Sequence, residues 1–115
     1  MWGPTTKSDS FRGLSPEDEK SAKKVGYSTF RYVNSKGEEV IRFHRMDIIV
    51  FSKDRQVATL NTGGWRTVTT KKKMNQFLQE AGFKQGIYQK DFEWFVWDRQ
   101  TDTEEEFFDG MNVER

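Results

Sequence analysis

The residues best suited to bind a charged ligand lie together in one stretch, Gly-Gly-Trp-Arg-Thr-Val-Thr-Thr-Lys-Lys-Lys over 63–73. Paired glycines form tight turns that let a ligand approach the backbone, and threonine hydroxyls cap the free N–H groups of a helix start. Free N–H groups and basic side chains at a helix start bind phosphate or carboxylate. The pattern predicts an anion site formed by Gly63, Gly64, Trp65, Arg66, Thr67, Thr69, Thr70, Lys71, Lys72 and Lys73.

The lysines of this stretch need an electrostatic explanation. They lie in the first turn of a predicted helix, where the helix dipole is already positive and each cation costs on the order of 0.3–1 kcal/mol. A negative partner would compensate for that cost, although charge runs are more often solvated surface. A third explanation is internal, because Glu104, Glu105 and Glu106 near the C-terminus could fold back onto the lysines and compete with an external polyanion.

The sequence gives little support for catalysis. His44 is the only histidine, and with Asp47 it supplies two of the three or four ligands that a metal site needs. The chain has no phosphate-binding loop, nucleophile elbow or zinc pattern. We therefore predict a non-catalytic protein without a metal or a cofactor.

Length and composition set further limits. The chain has 115 residues, enough for one domain, and no cysteine, which excludes disulfides. The sequence contains no apolar run of membrane-spanning length and no signal-peptide pattern at its start, so we expect an intracellular protein without a membrane partner. The charge is unevenly distributed: residues 66–90 carry a net charge of +5 and residues 91–115 a net charge of −7.

Hydrophobic periodicity predicts an α+β fold. Alternating patterns over 27–33 and 39–44, then over 47–52 and 56–61, indicate two N-terminal hairpins in an antiparallel sheet. A central amphipathic helix over about 69–81 follows, because Met74, Phe77, Leu78 and Ala81 form one apolar stripe and Gly82 gives the expected stop.

The two ends of the chain differ in composition from its centre. Residues 1–14 are predicted to form a flexible arm, and residues 15–115 a single α+β domain that begins with a short helix over 16–24. The C-terminal segment 101–115 is acidic. Within it, residues 101–106 are expected to be a loop and residues 107–111 a last strand or clamp.

A third hairpin, formed by residues 86–89 and 94–97, is dense in aromatic residues on both faces. That pattern favours a strand buried on two sides, with a subunit or partner contact as the alternative. The candidate partner anchors are Trp2, Tyr88, Trp94, Phe95 and Trp97.

Five motifs carry a resemblance over roughly residues 40–113. They are Asp-Ile-Ile-Val-Phe at 47–51, Leu-Asn-Thr-Gly-Gly-Trp-Arg-Thr-Val-Thr-Thr-Lys with Met-Asn at 60–75, Tyr-Gln-Lys-Asp at 88–91, Trp-Phe-Val at 94–96 and Phe-Asp-Gly-Met at 108–111. The chain resembles a group of small, functionally uncharacterised proteins of tailed bacteriophages. The resemblance implies a phage setting, hence the host bacterial cytoplasm, and no mechanism. It also implies Asp-Gly in the third hairpin turn, where this chain has Asp91-Phe92.

Three functions follow from these patterns. In the first, the basic stretch binds phosphates of a nucleic acid or nucleotide, and Trp65 or Tyr88 stacks on a base. In the second, the protein inhibits or modulates a host protein through its aromatic surface. In the third, it is a minor virion structural protein, an oligomer assembled through strand edges. We take a non-catalytic phage accessory protein with a polyanion site as the first hypothesis.

Overall fold

The structure is a computed structural model that describes residues 14–115. Over this range the chain forms two helices and nine strands. In order they are α1 (Pro16–Ser21), β1 (Lys23–Gly26), β2 (Thr29–Val33), β3 (Glu39–Phe43), β4 (Met46–Phe51), β5 (Val57–Leu60), α2 (Val68–Glu80), β6 (Gln85–Lys90), β7 (Glu93–Asp98), β8 (Thr103–Glu106) and β9 (Met111–Glu114). The predicted α+β class, with two N-terminal hairpins, a central helix and a C-terminal hairpin, is confirmed.

All strand pairs are antiparallel and form two sheets. The larger sheet has the order β1-β2-β3-β4-β5-β9, and the smaller one has the order β6-β7-β8. The chain therefore leaves the larger sheet after β5, forms the three strands of the smaller sheet, and returns to the larger sheet with β9, which pairs with β5. The last-strand prediction for 107–111 is thus met only at Met111.

The predicted loop over 101–106 is wrong for residues 103–106, which form β8 and pair with β7, whereas residues 101–102 lie in a turn. Its four residues are all exposed, so the strand has none of the apolar alternation by which strands are recognised in a sequence. Pairing with the apolar β7 determines the structure here, rather than the composition of β8 itself.

Helix α2 packs its apolar stripe into the core. Its buried residues are Thr70, Met74, Phe77 and Leu78, close to the predicted stripe. The core also includes Leu60 from β5 and the ring of Trp94 from β7, and each is no more than 2% exposed. The helix and both sheets therefore share one hydrophobic core.

Asn75 on α2 binds the free edge of the smaller sheet. Its side-chain N–H donates to the carbonyl of Ile87 at 2.9 Å, and its oxygen accepts from the N–H of Ile87 at 2.7 Å. The amide thus takes the place of a neighbouring strand at this point of β6. It fixes the smaller sheet to the helix that begins at the candidate site.

Three polar side chains form a network within the larger sheet. Tyr32 donates to the Asp47 carboxylate at 2.9 Å, and Arg42 binds the other oxygen of the same carboxylate at 2.8 Å. Burial, together with the charge of Asp47, holds the pKa of Tyr32 well above its ordinary value. Asp47 therefore has a structural partner on each side.

Candidate ligand cleft

The glycine turn uses its own backbone N–H groups internally. The Thr62 N–H and hydroxyl both donate to Oδ1 of Asp109, at 2.7 and 2.8 Å. The next three N–H groups donate to Asn61 Oδ1 (from Gly63), Thr62 Oγ1 (from Gly64) and the Thr62 carbonyl (from Trp65). A ligand would have to displace these bonds to reach the turn, so the turn serves to position side chains.

The start of α2 is capped in the same way. The hydroxyl oxygen of Thr67 accepts from the N–H of Thr70 at 3.1 Å, and the Thr67 carbonyl accepts from the N–H of Lys71 at 3.1 Å. The hydroxyls of Thr67 and Thr70 also lie 2.9 Å apart. The threonine cap anticipated from the sequence is therefore present, and it is built from Thr67.

Gly63 is the glycine that the turn requires most. Its φ of 63° lies in the left-handed region, and a Cβ built on it would lie 2.6 Å from Sδ of Met46. A side chain at this position would clash with Met46 as well as strain the backbone. The close approach puts Met46 directly against the turn.

The basic side chains of the predicted site point to different surfaces. The guanidinium of Arg66 lies 5.1 Å from the ring centre of Phe107 and 5.9 Å from that of Trp94. The ammonium of Lys71 lies 5.8 Å from the same Trp94 ring. These are cation–π distances, so Arg66 and Lys71 face the smaller sheet.

Lys72 and Lys73 lie away from those rings. Lys73 reaches β1, and its Nζ lies 2.9 Å from where a Cβ on Gly26 would be, while Lys72 is exposed. Among residues 14–115, no ion pair joins either lysine to the glutamates of β8. The internal explanation, in which the acidic tail covers the lysines, finds no contact in the described part of the chain.

A cleft of about 670 Å³ opens beside the glycine turn. It lies between the β1–β2 turn, the β3–β4 turn, the glycine turn and the start of α2. The lining residues are Tyr27, Phe43, His44, Arg45, Met46, Ile48, Thr62, Gly63, Trp65, Thr67, Thr69 and Thr70. Five of the predicted site residues therefore share this cleft: Gly63, Trp65, Thr67, Thr69 and Thr70.

Two large aromatic rings at the cleft are mostly exposed. Tyr27 and Trp65 are each 74% exposed, and the ring of Tyr27 meets that of His44 edge to face at 6.1 Å. Sequence reasoning missed Tyr27 and His44 as site residues. Each follows the end of a strand and is far from Trp65 in sequence, so only the β1-β2-β3-β4 pairing brings them together.

The aromatic hairpin divides its residues between the core and the surface. Trp94 is 2% exposed and packs edge to face on Phe107 at 5.4 Å, so its ring is part of the core and not a surface anchor. Tyr88 and Phe95 stack on each other at 5.6 Å on the opposite face, and both are half-buried. Trp97 is 38% exposed. Trp2 lies outside the described residues.

The described part of the chain contains neither a metal-binding cluster nor a membrane-spanning helix. Residues 14–115 contain no group of three or more His, Cys, Asp or Glu side chains close enough to hold a metal ion. None of the helices over this range has the length and apolar character to cross a membrane.

Comparison with known proteins gives one family. Neither a curated protein nor a solved structure matches the chain. The family model described as Kyanoviridae Gp96 protein matches residues 17–114, which is most of the chain. The phage origin implied by the resemblance is thereby supported. The chain belongs to the Kyanoviridae Gp96 protein family, a family of phage proteins.

Proposed function

We propose that the protein is a phage accessory protein that acts in the host bacterial cytoplasm by binding a phosphate-bearing ligand with a flat ring, namely a nucleotide or a single-stranded nucleic acid. The observation that carries the proposal is the pair of largely exposed rings, Tyr27 and Trp65, that line one cleft. Large aromatic side chains usually bury most of their area, so two exposed rings at one cleft favour a stacking ligand.

The base is expected to enter the cleft and stack. Base–aromatic stacking contributes about 1–3 kcal/mol per base and tolerates any base, because every base has a π face. Phe43, Met46 and Ile48 give the cleft an apolar lining, and the Thr69 hydroxyl offers a polar contact. The cleft supports recognition of a ring better than recognition of a bare phosphate.

The phosphate is expected to bind side chains and not the glycine turn. The N–H groups of that turn already have internal partners, so the positive charge must come from side chains, namely Arg45, which lines the cleft, and the lysines of α2. Thr69, which lines the cleft, lies three and four residues before Lys72 and Lys73, which places all three on one face of α2. Two lysine contacts to a single strand predict a slope of log K against log salt of about −1.4.

The test is a binding titration with two probes, a fluorescently labelled single-stranded oligonucleotide and a labelled adenine nucleotide. Loss of one stacking ring is expected to weaken binding by about 5- to 150-fold, so Trp65→Ala and Tyr27→Ala should each do so. The matched control is Phe92→Ala, which removes an aromatic ring that is 95% exposed and lies outside the cleft. Absence of binding to both probes, or unchanged affinity in Trp65→Ala, would contradict the proposal.

A second function has its own supporting observation on a different surface of the protein. The face with the stacked rings of Tyr88 and Phe95 also carries Trp97, and Phe92 at the hairpin tip is 95% exposed. A host protein could bind such a surface through these aromatic anchors. Capture of one host protein from lysate that survives nuclease treatment and is lost in Trp97→Ala would favour this function over ligand binding.

A further inference from the structure

The two sheets each end in an edge strand, and the two strands carry opposite charge. Strand β1 is an edge of the larger sheet and begins Lys23-Lys24, with both lysines exposed. Strand β8 is an edge of the smaller sheet, and its sequence is Thr-Glu-Glu-Glu with all four residues exposed. Within residues 14–115, β1 pairs with β2 alone and β8 with β7 alone.

The free side of β8 presents unpaired backbone groups. The N–H of Phe107 donates to the carbonyl of Trp94, and in an antiparallel ladder the bonded pairs recur at every second residue. The backbone groups of Glu105 therefore face β7. Those of Glu104 and Glu106 point away from the sheet, where another strand can bind.

Charge decides which strand that is. A pair of two β8 strands would place glutamates opposite glutamates, and a pair of two β1 strands would place lysines opposite lysines. Both pairs are unfavourable, because like charges directly opposite each other destabilise a strand pair. A pair of β8 with β1 places opposite charges together. We propose that β8 of one copy pairs with β1 of a second copy, and that the protein assembles head to tail through these edges.

The second copy is the occupant favoured by the chain itself. Both complementary edges belong to the same sequence, so every copy supplies both partners. Lys73 strengthens the basic edge, because its ammonium lies against Gly26 at the end of β1. This interface is heterologous, because it joins two different edges. An open assembly therefore always ends in one unpaired β1 and one unpaired β8, unless the copies close into a ring.

The proposal does not depend on ligand binding. Neither Lys23, Lys24 nor any residue of β8 lines the cleft, so a variant of either edge leaves the cleft residues in place. Failure of the ligand titration and failure of the assembly measurement are therefore separate results.

Assembly is tested by light scattering during size-exclusion chromatography of the full chain, and the monomer mass is 13.6 kDa. The wild-type protein is expected to show at least twice that mass at about 0.01 M salt. It should return towards the monomer mass at about 1 M salt, where the Debye length falls to roughly 3 Å. Circular dichroism of each sample reports whether the fold is intact.

Charge reversal gives the sharper result. The variants Lys23→Glu with Lys24→Glu and Glu104→Lys with Glu106→Lys should each be monomeric alone, because each makes both edges the same sign. Mixed in equal amounts, they should regain the wild-type mass, since each variant then meets the opposite edge. The control, Lys36→Glu with Lys53→Glu, makes the same charge change as the lysine variant, but at exposed turn residues, and should assemble like the wild type.

Three results would overturn the proposal. They are a wild-type protein that stays at the monomer mass at low salt, reversed variants that assemble as before, and a mixture that stays monomeric. If a reversed pair fails to fold, the neutral pair Glu104→Gln with Glu106→Gln replaces it, with a loss of mass expected and an unchanged mass as the contrary result.

Discussion

Replacing Asp109 with alanine is expected to destabilise the protein and to loosen the turn that carries Trp65. Oδ1 of Asp109 accepts from both the N–H and the hydroxyl of Thr62, and the Thr62 hydroxyl oxygen accepts in turn from the N–H of Gly64. The loop between β8 and β9, which contains Asp109, thus stabilises the glycine turn. The alanine variant breaks the first two bonds directly and removes the support of the third.

The size of the effect follows from the partners. A hydrogen bond to a charged group contributes about 1.5–3 kcal/mol, and a buried donor left unpaired costs about 1–3 kcal/mol. Thr62 is 1% exposed, so water reaches its N–H poorly, whereas Asp109 itself is exposed and its carboxylate is partly solvated. Because water screens the exposed carboxylate, we expect each bond to contribute about 1 kcal/mol, as an ordinary hydrogen bond does, and the two bonds together about 2 kcal/mol.

Urea denaturation followed by circular dichroism measures this loss. With a slope of about 1–3 kcal/mol/M for a small protein, the midpoint should fall by roughly 1 M while the slope stays constant. Asp109→Asn keeps an acceptor oxygen without the charge and should lose about half as much. Glu93→Ala, at an exposed residue of β7, is the control and should change stability by no more than about 0.5 kcal/mol.

Hydrogen exchange shows whether the loss is local to the turn. The amides of residues 62–65 should exchange faster in Asp109→Ala, and ligand affinity at the cleft should fall because Trp65 is held less firmly. A change in the free energy of unfolding below about 0.5 kcal/mol, together with unchanged exchange at these amides, would refute the reasoning. The glycine turn would then keep its conformation without Asp109.

Two further substitutions test the hairpin and its edge. Asn75→Ala removes both hydrogen bonds to the backbone of Ile87 and should lower the free energy of unfolding, measured by urea denaturation, by about 2 kcal/mol. The control, Gln76→Ala at the exposed neighbouring residue, should lower it little. Equal losses in the two variants would contradict the proposed role of Asn75 in binding the edge of the smaller sheet. Phe92→Gly should stabilise the protein by about 1 kcal/mol, because Phe92 has a φ of 67° in the hairpin turn, a left-handed conformation that costs roughly 1–2 kcal/mol for a residue with a Cβ. A lower melting temperature in Phe92→Gly would show that the ring makes a contact that offsets the strain.

The local patterns of the sequence predicted most of the fold. Strands β2 to β5 follow from alternation, and α2 from an apolar stripe with a threonine before it and Gly82 after it. Each of these signals needs only neighbouring residues. The helix begins one residue before the predicted start, because Thr67 and not a later threonine is the cap.

What the sequence could not predict depends on contacts between distant segments. Strand β8 has no apolar alternation and forms because β7 offers a partner, and β9 reaches β5 only after the excursion of the smaller sheet. The cleft has the same origin. Trp65 was predicted to be a site residue because it belongs to the glycine stretch, whereas the positions of Tyr27 and His44 beside it depend on the register of strands β1 to β4.

The lysine run shows the limit of reasoning from spacing. Successive residues of a helix are 100° apart, so three consecutive lysines cannot share one face. Lys71 lies towards Trp94 and Lys73 towards Gly26, in different directions from the helix. A cluster in the sequence is therefore divided between surfaces in the fold.

That division changes the electrostatic argument for the site. The unfavourable position of cations at the helix start led us to expect a negative partner, yet Arg66 and Lys71 lie over the electron-rich faces of Trp94 and Phe107. These aromatic rings therefore compensate part of the positive charge at the helix start from within the protein. The electrostatic argument for an external anion then rests on Lys72 and Lys73, which lie away from those rings.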